Sequence, residues 1–148
     1  MSEHTANVVW SRNGHEFAYQ KYSRDHEWKF DGGAVVQASA SPAYMGGEAN
    51  VDPEEAFIAS LSACHMLTFL ALCTKEKLTV ESYDDEAVGV LEKDGDGKMS
   101  VTRVTLRPRI VFSGGDPSPE TLDKLHHDSH EMCFIASSVK TEITVEPV

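Results

Sequence analysis

The chain has 148 residues, with 24 acidic and 13 basic side chains and a formal charge of −11 at pH 7. That sign argues against nucleic acid and anionic membrane as partners, because a phosphate surface is repelled over most of the molecule. A hydrophobic content of 41% predicts one folded domain over residues 1–148, burying roughly 70% of the surface of the unfolded chain.

Met1 to Asn7 has no basic start leading into an apolar core, so no signal peptide is read there. Val8-Val9-Trp10 and Phe17-Ala18-Tyr19 are strand-like runs around Asn13-Gly14, a dipeptide that suits a tight hairpin because both residues tolerate positive φ. Trp28–Phe30 and Ala34–Ala38 flank Asp31-Gly32-Gly33 and predict a second hairpin. From Ser39 to Val51 the chain is small and polar, with Pro42 and Gly46-Gly47, and reads as a long loop.

Asp52-Pro53-Glu54-Glu55 reads as a helix start, with Asp52 as cap, Pro53 in the first helical position and Glu55 at capping-box spacing. The helix is expected to run to about Lys75. Its segment Ala56–Cys73 is apolar enough to raise the question of a membrane span. Ser60, Ser62, His65 and Thr68 interrupt that segment and Asp52, Glu54 and Glu55 flank it, so a core helix enclosed on several sides is expected.

Beyond Lys77, Thr79–Val90 and Met99–Phe112 are β-prone runs joined by Asp94-Gly95-Asp96-Gly97. That joint has some likeness to a calcium loop but lacks the bidentate glutamate and flanking helices, so it reads as a turn. Val104, Leu106, Ile110 and Phe112 share a face of the second run, and Pro108 within it predicts an edge or a bulge. Asp116-Pro117-Ser118-Pro119 starts a second helix ending near Cys133, and Val139–Val145 makes a last strand. Strands, helix, strands, helix, strand is the order of an α+β domain.

Cys64, Cys73 and Cys133 are too few and too far apart for a secreted disulfide framework, which predicts a reducing cytoplasm where a thiol pair more often serves chemistry. Cys64 and Cys133 each fall on or at the end of a helix. A cysteine peroxidase needs one thiolate to take oxygen from a peroxide and a second thiol to condense with the sulfenic acid. Spacing alone leaves core packing open for both residues, since free cysteine is commonly a small buried hydrophobe.

A reactive Cys64 needs a cation nearby to favour its thiolate. It lies too deep in its helix for the N-terminal dipole to serve. Arg24 could supply the charge, with Glu54 gripping its guanidinium, although a surface pair of little energetic weight fits the same residues. Cys73, nine residues after Cys64, falls on the opposite side of the helix and reads as packing. His126, His130 and Cys133 share a helical face and offer a second reading, a metal- or small-ligand-binding module without redox cycling.

The run Asp52-Pro53-Glu54-Glu55-Ala56-Phe57 through Leu61-Ser62-Ala63-Cys64-His65-Met66, with the later His130-Glu131-Met132-Cys133-Phe134-Ile135-Ala136-Ser137-Ser138-Val139-Lys140-Thr141-Glu142, resembles the OsmC/Ohr family of cysteine-based hydroperoxide reductases. The resemblance runs from about Val8 to the end and is closer to the OsmC-like branch. It implies an intertwined α+β homodimer, with β-sheets wrapped around central helices and active sites at the subunit interface. It also implies catalytic roles for Cys64 as the peroxidatic cysteine, Cys133 as the resolving one, Arg24 as thiolate activator and Glu54 as the partner of that arginine. No haem, flavin or metal cofactor is implied. The implied substrate is an organic hydroperoxide, with hydrogen peroxide as a second candidate, and the implied reductant an external dithiol of the lipoyl type. Glu54 and Cys64 are ten residues apart, about 15 Å along a straight helix. That distance requires a helix break near Ser60–Ser62, a bridging Arg24, or a residue from a second subunit.

Overall fold

A computed structural model describes residues 1–148. The chain divides into two compact units, Met1–Ala56 and Phe57–Val148.

In the first unit, β1 (Ala6–Val9), β2 (His26–Phe30) and β3 (Val35–Ala38) form an antiparallel sheet in that order. The β2–β3 hairpin turns through Asp31-Gly32-Gly33 as expected, with Gly33 at φ 86°. Asn13 and Gly14 also turn with positive φ, 48° and 77°, but they do not join two paired strands. Phe17–Tyr19 is not a strand. Lys21 and Tyr22 donate backbone bonds to Ala18 O, which closes a turn. Phe17 and Tyr22 instead gather around Trp10, with ring centroids 5.5–6.2 Å apart. Aromatic clustering wins over strand propensity here because β2 already supplies β1 with a pairing partner.

The long loop folds back on β3. Ser39 N donates to Val51 O and Val51 N to Gln37 O, and Ser39 Oγ accepts from Gly47 N at 3.0 Å. A Cβ on Gly46 would overlap the Ala40 carbonyl, so this close backbone approach needs glycine.

α1 (Pro53–Lys75) starts with the expected capping box. Glu55 N donates to Asp52 Oδ1 at 2.8 Å and Asp52 N donates to Glu55 Oε2 at 3.1 Å, so two otherwise orphaned donors are paired reciprocally. The helix is continuous, which removes the helix-break option for Glu54 and Cys64.

The second unit holds the rest of α1, two further sheets and α2 (Pro119–Met132). The two long β-prone runs each break in the middle, giving β4 (Thr79–Asp85) and β5 (Val88–Lys93), then β6 (Met99–Leu106) and β7 (Pro108–Ser113). β4 pairs with β7, and β6 lies between β5 and a parallel β8 (Glu142–Val145). Pro108 marks a strand start, where a missing N–H costs no ladder bond; the bulges lie at Val80/Ser82 and Val90/Leu91. The Asp94 turn is a hairpin turn closed by Asp94 Oδ1, which accepts from Asp96 N and Lys98 N.

The strand break divides the core. Leu61 packs with Val104 and Leu106 on the three-stranded sheet, while Phe69 and Cys73 pack with Leu125, Ile110 and Phe112. Val104 and Leu106 therefore share a face with each other but not with Ile110 and Phe112. α1 is less enclosed than its composition predicts. Only Leu61, His65, Phe69 and Cys73 are buried, one stripe at every fourth position, whereas Ala59, Ala63, Ala71 and Leu67, the last 63% exposed, face outward. The helix is long and apolar enough to cross a membrane, and in this fold its buried stripe is the spine of both core clusters.

Candidate active site

Cys64 sits about three turns into α1 and Cys133 caps the C-terminus of α2, and the two are joined by a disulfide. Their Cα atoms are 5.8 Å apart, inside the range a disulfide needs. The local sequence explains the second placement. Cys133 leaves the helical spiral with φ −75° and ψ 115°, and Ser137 N and Oγ donate to its carbonyl at 3.0 and 3.1 Å. Ala136 N donates to Cys133 Sγ at 3.3 Å, a bond that helps fix the sulfur in place. Nothing in the spacing of the cysteines signals this donor.

The two cysteines differ in exposure: Cys133 is buried at 1%, whereas Cys64 is only partly buried. Cys73 is free, buried and away from the pair, and burial pushes its thiol pKa up.

The metal-binding reading fails on geometry. Cys133 departs from the helix and its sulfur is taken by Cys64, while His126 turns into the core. No group of three or more histidine, cysteine or carboxylate side chains is placed to hold a metal. His126 Nδ1 instead meets His65 Nε2 at 3.0 Å, with the two rings 11° from parallel. Both histidines are nearly enclosed, and desolvation first of all lowers each pKa to about 4; His126 and His130 add to the lowering at His65, while Asp123 and Asp85 oppose it at His126. In the sequence His65 is only a polar interruption of an apolar segment. Its place on the 61, 65, 69, 73 stripe is the signal that could have identified a buried polar contact.

Arg24 and Glu54 belong to the first unit and do not form an ion pair. The Arg24 guanidinium donates to Tyr22 O at 3.0 Å and Tyr19 O at 2.6 Å, and lies 4.2 Å from the centre of the Tyr22 ring. It borders a cavity of about 550 Å³ lined largely by apolar groups, among them Val8, Trp10, Phe17, Tyr22 and Pro53. An always-charged guanidinium held by neutral carbonyls and ring faces keeps its positive field free for an anionic guest.

The family model for OsmC-like proteins matches residues 46–148. An OsmC-like protein of unknown function from Vibrio cholerae O1 biovar eltor is 53% identical over 100% of both chains, with a TM-score of 0.96. Organic hydroperoxide resistance proteins share the fold at lower identity. That of Elizabethkingia anophelis is 17% identical over 99% of this chain and 94% of its own, with a TM-score of 0.73. OhrB of Bacillus subtilis is 20% identical over 97% of this chain and 98% of its own, with a TM-score of 0.69. No curated protein matches the sequence.

Proposed function

This chain belongs to the OsmC-like protein family, and from that premise we propose that it is a thiol-dependent peroxidase that reduces organic hydroperoxides to alcohols. The observation that carries the reading is the Cys64–Cys133 disulfide, the oxidised product such a cycle would leave.

The Cys64 thiolate attacks one oxygen of the hydroperoxide. An S–O bond forms as the O–O bond breaks, and the leaving alkoxide takes a proton to become the alcohol. The Cys133 thiol then attacks the sulfenic sulfur, closing the disulfide and releasing water. An external dithiol of the lipoyl type returns both thiols by exchange, and its own sulfurs end as a disulfide. No metal, haem or flavin takes part. Arg24 is the proposed thiolate activator, and Glu54 is proposed to orient it once substrate or a second subunit is bound.

The same reading makes the protein a cytoplasmic homodimer with intertwined subunits. The pairing of subunits is supported by the outward Ala59, Ala63, Leu67 and Ala71 face of α1, an apolar surface that a partner would cover. Thiol counting by intact mass before and after one equivalent of cumene hydroperoxide tests the chemistry. Two thiols should be lost and digestion should recover a Cys64–Cys133 linkage; three thiols still free would overturn the proposal.

A further inference from the structure

The His65–His126 contact serves no step of the proposed cycle, yet it is built with care. His65 is the residue after Cys64 on α1, and His126 lies two helical turns before Cys133 on α2. The contact therefore joins the same two helices as the disulfide, by a second and non-covalent link. His126 can spare no part of it. Its Nε2 is buried without a partner, Phe69 lies 4.6 Å from its ring, and Nδ1 makes the only hydrogen bond of the side chain. Breaking the contact leaves both His126 nitrogens unpaired among apolar groups, which costs more than the bond itself contributes.

From this geometry we infer that His65 and His126 are positioning residues for the redox pair: their hydrogen bond persists when the thiols are free and holds Cys133 within reach of Cys64. An N–H···N bond needs one ring to donate and the other to accept, so it requires at least one neutral imidazole and is lost when both are protonated. Neither ring touches the reacting sulfurs in this role. The effect is on the effective concentration of one thiol for the other. The inference deepens the proposed function and rests on Cys64 and Cys133 being its redox pair, but not on the identity of the oxidant.

The test is therefore run without peroxide. The full-length protein is equilibrated in graded mixtures of reduced and oxidised dithiothreitol, and free thiols are counted by alkylation and mass. As the Cys64–Cys133 bond forms, the reagent's S–S bond breaks and accepts the two electrons and two protons. His126→Phe, which keeps ring packing but loses Nδ1, should lower the oxidation equilibrium constant about fivefold to tenfold. His126→Asn, whose amide can reach the position of Nδ1, should restore most of that loss. A merely structural contact would destabilise oxidised and reduced protein alike and leave the constant unchanged, which would overturn the inference.

A measurement on the unmutated protein guards against a variant that does not fold. The reduced protein, labelled with nitrogen-15 at histidine, should show scalar coupling across the His65–His126 bond, and its absence would equally overturn the inference. Wild-type protein that forms no disulfide in the buffer would remove both this inference and the proposed function. A normal redox equilibrium with no hydroperoxide turnover would remove only the peroxidase reading.

Discussion

Cys133 is buried at 1% exposure while Cys64 is only partly buried, so Cys64 is the more accessible of the two to a peroxide. Burial also shields a thiol from further oxidation, which suits Cys133 to the resolving role. Cys64→Ser is accordingly expected to abolish hydroperoxide consumption in a dithiol-coupled assay. Cys133→Ser should still lose one equivalent of peroxide in the first turnover, then accumulate sulfinic and sulfonic acid at Cys64 under excess oxidant, detectable by mass. Dithiol-driven turnover undiminished in Cys133→Ser would remove its resolving role. Away from the thiols, Gly46→Ala should lower the thermal midpoint, because the added Cβ strikes a backbone carbonyl that cannot rotate away.

At the scale of elements, α1 depends on its reciprocal cap and on its contact with α2. Asp52→Ala removes the acceptor for Glu55 N and should cost about 1 kcal/mol of stability in chemical denaturation. The histidine contact makes a pH prediction. Both imidazoles have folded pKa values near 4, below the ordinary 6.5, so between these values the unfolded chain binds more protons than the native one. Their contribution is fully present above about pH 6.5 and is lost as pH falls towards 4, by up to about 1.4 kcal/mol per pH unit for each group. Denaturation midpoints across that range should fall more steeply for wild type than for His65→Gln/His126→Asn, which lacks these two titrating groups.

For the whole molecule, the outward stripe of α1 is an apolar surface without a partner in the single chain. A homodimer that covers it predicts that Leu67→Glu, placing a charge at its most exposed large side chain, shifts the protein from dimer to monomer in light scattering. A wild-type protein that scatters as a monomer at all concentrations would remove the assembly. The charge of −11 leaves solubility to the remaining surface once that stripe is covered.

The local features were legible in the sequence because they depend on neighbours along the chain. The Asp52/Glu55 box spans three residues, the Asn13-Gly14 and Asp31–Gly33 turns need only residues that tolerate their dihedrals, and the second helix starts at the Ser118-Pro119 step. The two thiols and the family pattern around them were legible for a related reason, since each motif is one run of neighbours along the chain, Asp52–Met66 at the start of α1 and His130–Glu142 across the end of α2. Strand pairing was not. The run through Phe112 looked like one strand until Pro108 began a new one, and its halves joined different sheets. Nor could spacing show that Cys64 and Cys133, 69 residues apart, come within 5.8 Å, or that His65 faces His126 rather than a metal. Those contacts exist only after α1 and α2 pack on a common core, and a contact between distant residues is paid for by the whole fold rather than by the residues that make it.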